Sequence, residues 1–363
     1  MLKMIKYNLK KNSLFILIST VICLTLTVIR FNGESFITEW VLEEGISVLV
    51  AVPAQSPINF IMTVACVLCT VIPIFEFSFK MKKINIDQMY SLPIKREKIY
   101  IANLISGFIK ALIPIIVIYI YCMLIIAFSH HLYDSIYFLP YFGVLIGFMA
   151  IIYLIVSFMF TRGNTVIDGI VNIFASIFVV QIIMEVLYYI VLPRNDWMLR
   201  GGNYLYSPIS SLTDYFENLL KYKNMADVVP YIDKDFDFKL LVPIILYIVL
   251  GIAAAVLFVI LNKEDKAENS MQISDSWFSY RTMIPIYFSC AVMLICENGD
   301  VTGLVALLIV AYVAYVIYRR SLKIKKWDCL VIIICFISSI VVYLICDNFI
   351  KVDDVIVLHQ LFK

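Results

Sequence analysis

Of 363 residues, 62% are hydrophobic and only 15% charged, against roughly 45–50% and about 25% in an ordinary soluble domain. The apolar residues lie in long runs separated by short polar stretches. This excludes a water-soluble core and predicts an all-α polytopic membrane protein. A net charge of +2 gives no support for a nucleic-acid partner. No G-x-x-x-x-G-K-[ST] phosphate loop occurs, so the chain has no nucleotide-hydrolysing machinery of its own.

In chain order, the N-terminal segment MLKMIKYNLKKNS is basic and runs into an apolar stretch without a small-residue cleavage site, so it reads as a retained first helix. Spans are predicted at Ser13 to Ile29, Ile58 to Phe75, Ile101 to Phe128, Ile136 to Phe160, Ile167 to Leu192, Leu240 to Leu261, Thr282 to Cys296, Val301 to Tyr318 and Cys329 to Ile345. With the N-terminus inside, nineteen Lys and Arg fall on the inner side and nine on the outer, with Lys110 alone inside a span. That asymmetry sets the orientation and places the C-terminus outside. The span Thr282 to Cys296 rises only about 22 Å against a hydrocarbon core of roughly 30 Å. It is expected to thin the bilayer or to be re-entrant.

Other features carry little chemistry. Cys66 and Cys69 have the C-x-x-C spacing but lie mid-span without a second ligand pair, so they read as packing residues. His130, His131 and Asp134 share a short external loop without a further metal ligand. Asp233, Asp235 and Asp237 alternate as calcium-loop acids do, but Phe238 stands where the loop needs glycine. No metal site is predicted. Pro73, Pro114 and Pro243 are candidate helix kinks.

The most informative stretch is the cytoplasmic segment 76–100, which reads EFSFKMKKINIDQMYSLPIKREKIY from Glu76 and continues into the third span. Pro93 favours an extended or turn conformation at Leu92 and is expected to open a short basic helix, Ile94 to Tyr100, held at the membrane surface. The string Asp87, Tyr90, Ser91, Leu92, Pro93, Ile94, Lys95, Arg96, Lys98, Ile99, Ala102 resembles the loop between the second and third helices of ABC-type exporter permeases. In that family the pattern D-x-x-x-S-L-P-[IV]-x-R-x-x-[IV] forms a coupling helix that docks on an ATPase subunit.

The resemblance implies a six-helix permease core at 1–265, with a large external insertion at 193–239. Three additional C-terminal spans and a short external tail follow at 266–363. The segment after the sixth span resembles a longer branch of these permeases with an R-x-A-E-x-x-G pattern, here with Lys266 for Arg and Met271 near the Gly. It further implies a bacterial plasma-membrane exporter subunit with a coupling element from Asp87 to Tyr100. A cytoplasmic ABC ATPase would hold ATP and Mg, and a second permease subunit, identical or related, would complete the dimer. Membrane lipid is the remaining partner.

Lys110, Asp168 and Glu185 are the charges within or bordering the spans, costly enough to need partners or a polar translocation path. Lys110 and Asp168 are expected to pair. Two rival readings remain open. An ion-driven secondary transporter would use Glu185 and Lys110 as a relay, and a non-transporting sensor would bind its ligand in the external segment.

Overall fold

The computed structural model describes residues 1–31, 37–43, 46–52, 57–91, 93–128, 135–191, 238–263, 268, 271–272, 274, 276–298, 301–323 and 325–345. Apart from one hairpin, its regular structure is helical. Helix α1 (Leu2–Lys11) contains no acidic residue and buries Ile5 and Asn8 while exposing Lys3, Lys6 and Lys10. Asn12 separates it from α2 (Ser13–Phe31). Strands β1 (Ile37–Glu43) and β2 (Ile46–Val52) form an antiparallel hairpin, with Ile37 opposite Val52 and Glu43 opposite Ile46.

Helix α3 (Pro57–Phe77) continues through a 3-10 turn, Ser78–Met81, into α4 (Lys83–Tyr90). There follow α5 (Arg96–Phe128), α6 (Ser135–Thr161), α7 (Val166–Val191), α8 (Phe238–Lys263), α9 (Tyr280–Asn298), α10 (Val301–Arg319) and α11 (Lys326–Ile345). Pro73 and Pro114 lie inside α3 and α5, which continue on both sides of them.

Seven of the described helices are long and apolar enough to cross a membrane: α2, α3 with its 3-10 extension, α5, α6, α8, α10 and α11. Helices α7 and α9 carry shorter apolar stretches, Val166–Val179 and Tyr280–Cys296. Helix α9 itself has 19 residues, so it rises about 28 Å and exceeds the length predicted for it at both ends. Faces such as Leu14, Leu17, Ile18 and Val21 on α2 are exposed. Apolar stripes of this extent need lipid or another apolar partner, in keeping with a multi-pass membrane protein.

The described chain gathers into two compact units. One draws on Met1–Glu76 and Ile94–Leu154, the other on Phe77–Pro93, 155–191 and the residues from Phe238 onward. In the first, α1 and α2 both pack on α5. Phe15 meets Phe75 and Tyr119 meets Phe142, and the Cys69 thiol faces the Met149 carbonyl at 3.6 Å. In the second, α9 packs against α7, α10 and α11. Phe288, Val292 and Ala311 form a core there, flanked by Leu304, Ile332 and Phe336. Such contacts hold helices together in lipid by shape, since water expulsion contributes little there.

Candidate functional site

The segment predicted to couple the chain to a partner is built differently from its expected form. Lys82 is extended, and α4 then covers Lys83–Tyr90, a helix that the sequence reading did not anticipate. Ile86 is its buried anchor, while Ile84, Asp87 and Gln88 are exposed. Ser91 closes it, with its N–H donating to the Asp87 carbonyl at 3.0 Å and its hydroxyl to the Gln88 carbonyl at 2.8 Å. Leu92 lies outside the described residues.

Pro93 and Ile94 lie in a bend and do not open a helix. The Lys95 carbonyl accepts the N–H groups of Lys98 at 2.9 Å and Ile99 at 3.3 Å, so Lys95 begins the helix and Arg96 is its first residue. The expected short helix Ile94 to Tyr100 is therefore the opening of α5 itself. Lys95, Arg96 and Lys98 are exposed, whereas Ile99 and Tyr100 are buried and fix the helix to the protein interior. At 33 residues, α5 is about 50 Å long, longer than a hydrocarbon core of roughly 30 Å. Its basic end can reach beyond the membrane while its remainder spans.

The intramembrane charges have partners that the sequence did not reveal. Lys110 and Asp168, expected to pair with each other, each bind elsewhere. The Lys110 ammonium meets Glu76 Oε1 at 2.5 Å, and the two side chains are 1% and 8% exposed. Ser106 donates to the other Glu76 oxygen at 3.4 Å and to the Asn103 carbonyl at 3.1 Å. Asn103 in turn accepts from Asn8 of α1 at 2.7 Å. Gly107 makes this approach of helices possible, because a Cβ there would strike the Tyr153 hydroxyl and Glu76 Cγ. Asn103, Ser106 and Lys110 follow one another at three- and four-residue spacing, so they share one face of α5.

Asp168 lies near the start of α7. It accepts from the Tyr280 hydroxyl at 3.1 Å and pairs with Arg320 at 3.3 Å. Farther along α7, Asn172 accepts from Ser279 at 3.1 Å and the Ala175 carbonyl from Tyr287 at 2.6 Å. Asp168 and Asn172 are thus on a polar stripe that stitches α7 to α9. Glu185 is on α7, but its side chain lies outside those described.

The turn between α6 and α7 gathers further links. Buried Lys80 donates to the Thr161 carbonyl at 2.5 Å. Arg162 donates to Asn262, its carbonyl accepts from Ser274 at 2.6 Å, and the Asn164 carbonyl accepts the Met271 N–H at 3.0 Å. The stretch near Met271 therefore forms a strap across this turn. Sequence reasoning missed Glu76, Asn103, Asn172, Tyr280 and Arg320 as partners. For Asn103 and Asn172 the helical spacing to Lys110 and Asp168 was the available signal.

Replacing Asp168 by asparagine keeps the shape but removes the charge held by Arg320 and Tyr280. Arg320 is half exposed, so the expected loss is about 1–2 kcal/mol, measured as a lowered unfolding midpoint of the detergent-solubilised chain. Tyr280→Phe in the Asp168→Asn background is expected to add little.

Among the described residues, no group of three or more His, Cys, Asp or Glu is placed to hold a metal ion. His130, His131, Asp134, Asp233, Asp235 and Asp237 lie outside them, as does the expected insertion 193–239 apart from Phe238 and Lys239, which open α8. No protein-family model matches the sequence, and no curated protein or solved structure matches it either.

Proposed function

We propose that the chain is the membrane-spanning permease subunit of an ATP-driven exporter, moving an amphipathic or hydrophobic compound such as a peptide, lipid or antibiotic. In this reading the protein has nine spans, a cytoplasmic N-terminus and an external C-terminus in a bacterial plasma membrane. A separate cytoplasmic ABC ATPase hydrolyses ATP, and a second permease subunit completes the pathway.

The observation that carries this reading is the build of residues 83–91 and 93–100. Asp87, Ser91, Lys95, Arg96 and Lys98 present exposed polar and charged groups, as a docking element for a soluble partner requires. The same segment joins α3 and α5, and the chain leaves one compact unit and enters the other at Pro93–Ile94. A push on this segment would be passed along the covalent chain to α3 and α5, as ATP-driven switching of access needs.

The test is co-purification from detergent-solubilised membranes, comparing the natural chain with Lys95→Glu/Arg96→Glu and assaying vanadate-sensitive ATP hydrolysis. An ATPase retained by the natural chain and lost from the variant is the expected result. Absence of any ATPase from both preparations would sink the reading. The buried Lys110–Glu76 pair favours one alternative, an ion-driven transporter, whose uptake or efflux would persist without ATPase and collapse with the ion gradient.

A further inference from the structure

The inner-side connections of the last three helices converge on one surface that the exporter reading does not use. Helix α9 begins at Tyr280, α10 ends at Arg319 and α11 begins at Lys326. Three contacts hold these ends at one level. Tyr280 stacks on Tyr318 at 5.3 Å between ring centroids. Arg319 grips Asp328 through two hydrogen bonds of 2.9 Å. Arg320 and Tyr280 share the Asp168 carboxylate. Each of the three helices has 19 or 20 residues and rises about 28–30 Å, close to one hydrocarbon thickness. Their common end therefore lies at a membrane–water boundary.

The side chains displayed there match that position. Trp277, Leu322 and Trp327 are 64%, 77% and 75% exposed, although indole and isobutyl groups gain little from water. Arg281, Lys323, Lys325 and Lys326 are exposed beside them, and the Arg281 guanidinium lies 4.2 Å above the Trp277 ring. Among the described residues, the acids that bind at these helix ends, Asp168 and Asp328, are engaged by Arg320 and Arg319. Indoles at headgroup level together with exposed cations are what a negatively charged lipid surface selects.

We infer that this surface binds the headgroups of anionic phospholipids, with Trp277 and Trp327 seated at the glycerol level and Arg281, Lys323, Lys325 and Lys326 meeting the phosphates. The inference does not depend on an ATPase partner. It assigns the three C-terminal helices a lipid-anchored edge, so the lipid composition around the protein becomes a determinant of how firmly they are held.

The experiment uses the full chain with Trp40→Phe and Trp197→Phe, leaving Trp277 and Trp327 as reporters, reconstituted in phosphatidylcholine vesicles. Small amounts of phosphatidylglycerol or phosphatidylcholine, each carrying a nitroxide at the same acyl position, are compared as quenchers. Phosphatidylglycerol is expected to quench about twofold more strongly or better, with the ratio falling to about one in Arg281→Gln/Lys323→Gln/Lys325→Gln/Lys326→Gln. The ratio in the unsubstituted background should also collapse in 1 M NaCl, where the screening length is about 3 Å. This second reading stands if the fourfold variant fails to fold. Equal quenching by the two lipids, or a preference that survives high salt or the fourfold substitution, would overturn the inference.

Discussion

Lys110→Met is expected to destabilise the protein by about 3–5 kcal/mol, the usual cost of removing one partner from a buried ion pair. The reason lies in what stays behind. Glu76 is 8% exposed and would keep a carboxylate whose remaining hydrogen bond among the described residues is the one from the Ser106 hydroxyl, at 3.4 Å. Glu76→Gln should cost a similar amount by stranding the Lys110 ammonium at 1% exposure. The combined variant Glu76→Leu/Lys110→Met leaves neither charge and fills comparable volume, so it should recover most of the loss. Unfolding midpoints of the solubilised proteins would read all three. A single variant as stable as the natural chain would mean that the pair is solvated, and additive losses in the double variant would mean that packing, not charge, dominates.

How much of this was legible beforehand depends on the physical signal each feature emits. Long apolar runs carry a strong local signature, and all nine predicted runs fall on helices, seven of them of spanning length. The hairpin Ile37–Val52 was passed over because its alternation lies beside a stronger span signal. Helix α4 was missed for the opposite reason. Its eight residues, KINIDQMY, include β-branched and polar side chains of weak helical preference, and only Ile86 is buried to hold it. The turn expected at Leu92 lies outside the described residues, and helix initiation fell not to Pro93 but to Lys95, whose carbonyl takes the first two N–H groups.

Charge pairing was less legible still. A lysine in a span announces that it needs a partner, yet nothing local says which one. Glu76 lies 34 positions away, at the end of another span, and reads in sequence as part of the cytoplasmic loop. The periodicity of Asn103, Ser106 and Lys110, or of Asp168 and Asn172, shows which helix face is polar. The identity of the facing groups is a property of the fold.

Gly163→Ala should be the most disruptive single-methyl addition among the glycines at the helix ends, because the obstacle is backbone. A Cβ at Gly163 would lie 2.5 Å from the Gly169 nitrogen and 2.7 Å from its Cα, while one at Gly169 would lie 2.6 Å from the Phe160 ring. The two glycines let the chain leave α6 and enter α7 in direct contact. Thr165 then caps α7 by accepting the Asp168 N–H at 3.1 Å. Forcing this turn apart displaces Asp168 as well as Arg162, and with them the contacts to Tyr280, Arg320, Asn262 and Ser274. The expected cost is at the upper end of the 1–3 kcal/mol typical of overpacking, or about 3 kcal/mol. The diagnostic is the double variant. If the turn positions Asp168, then Asp168→Asn should cost far less in the Gly163→Ala background than alone. Equal costs in the two backgrounds would mean that the polar stripe of α7 holds α9 without help from the turn.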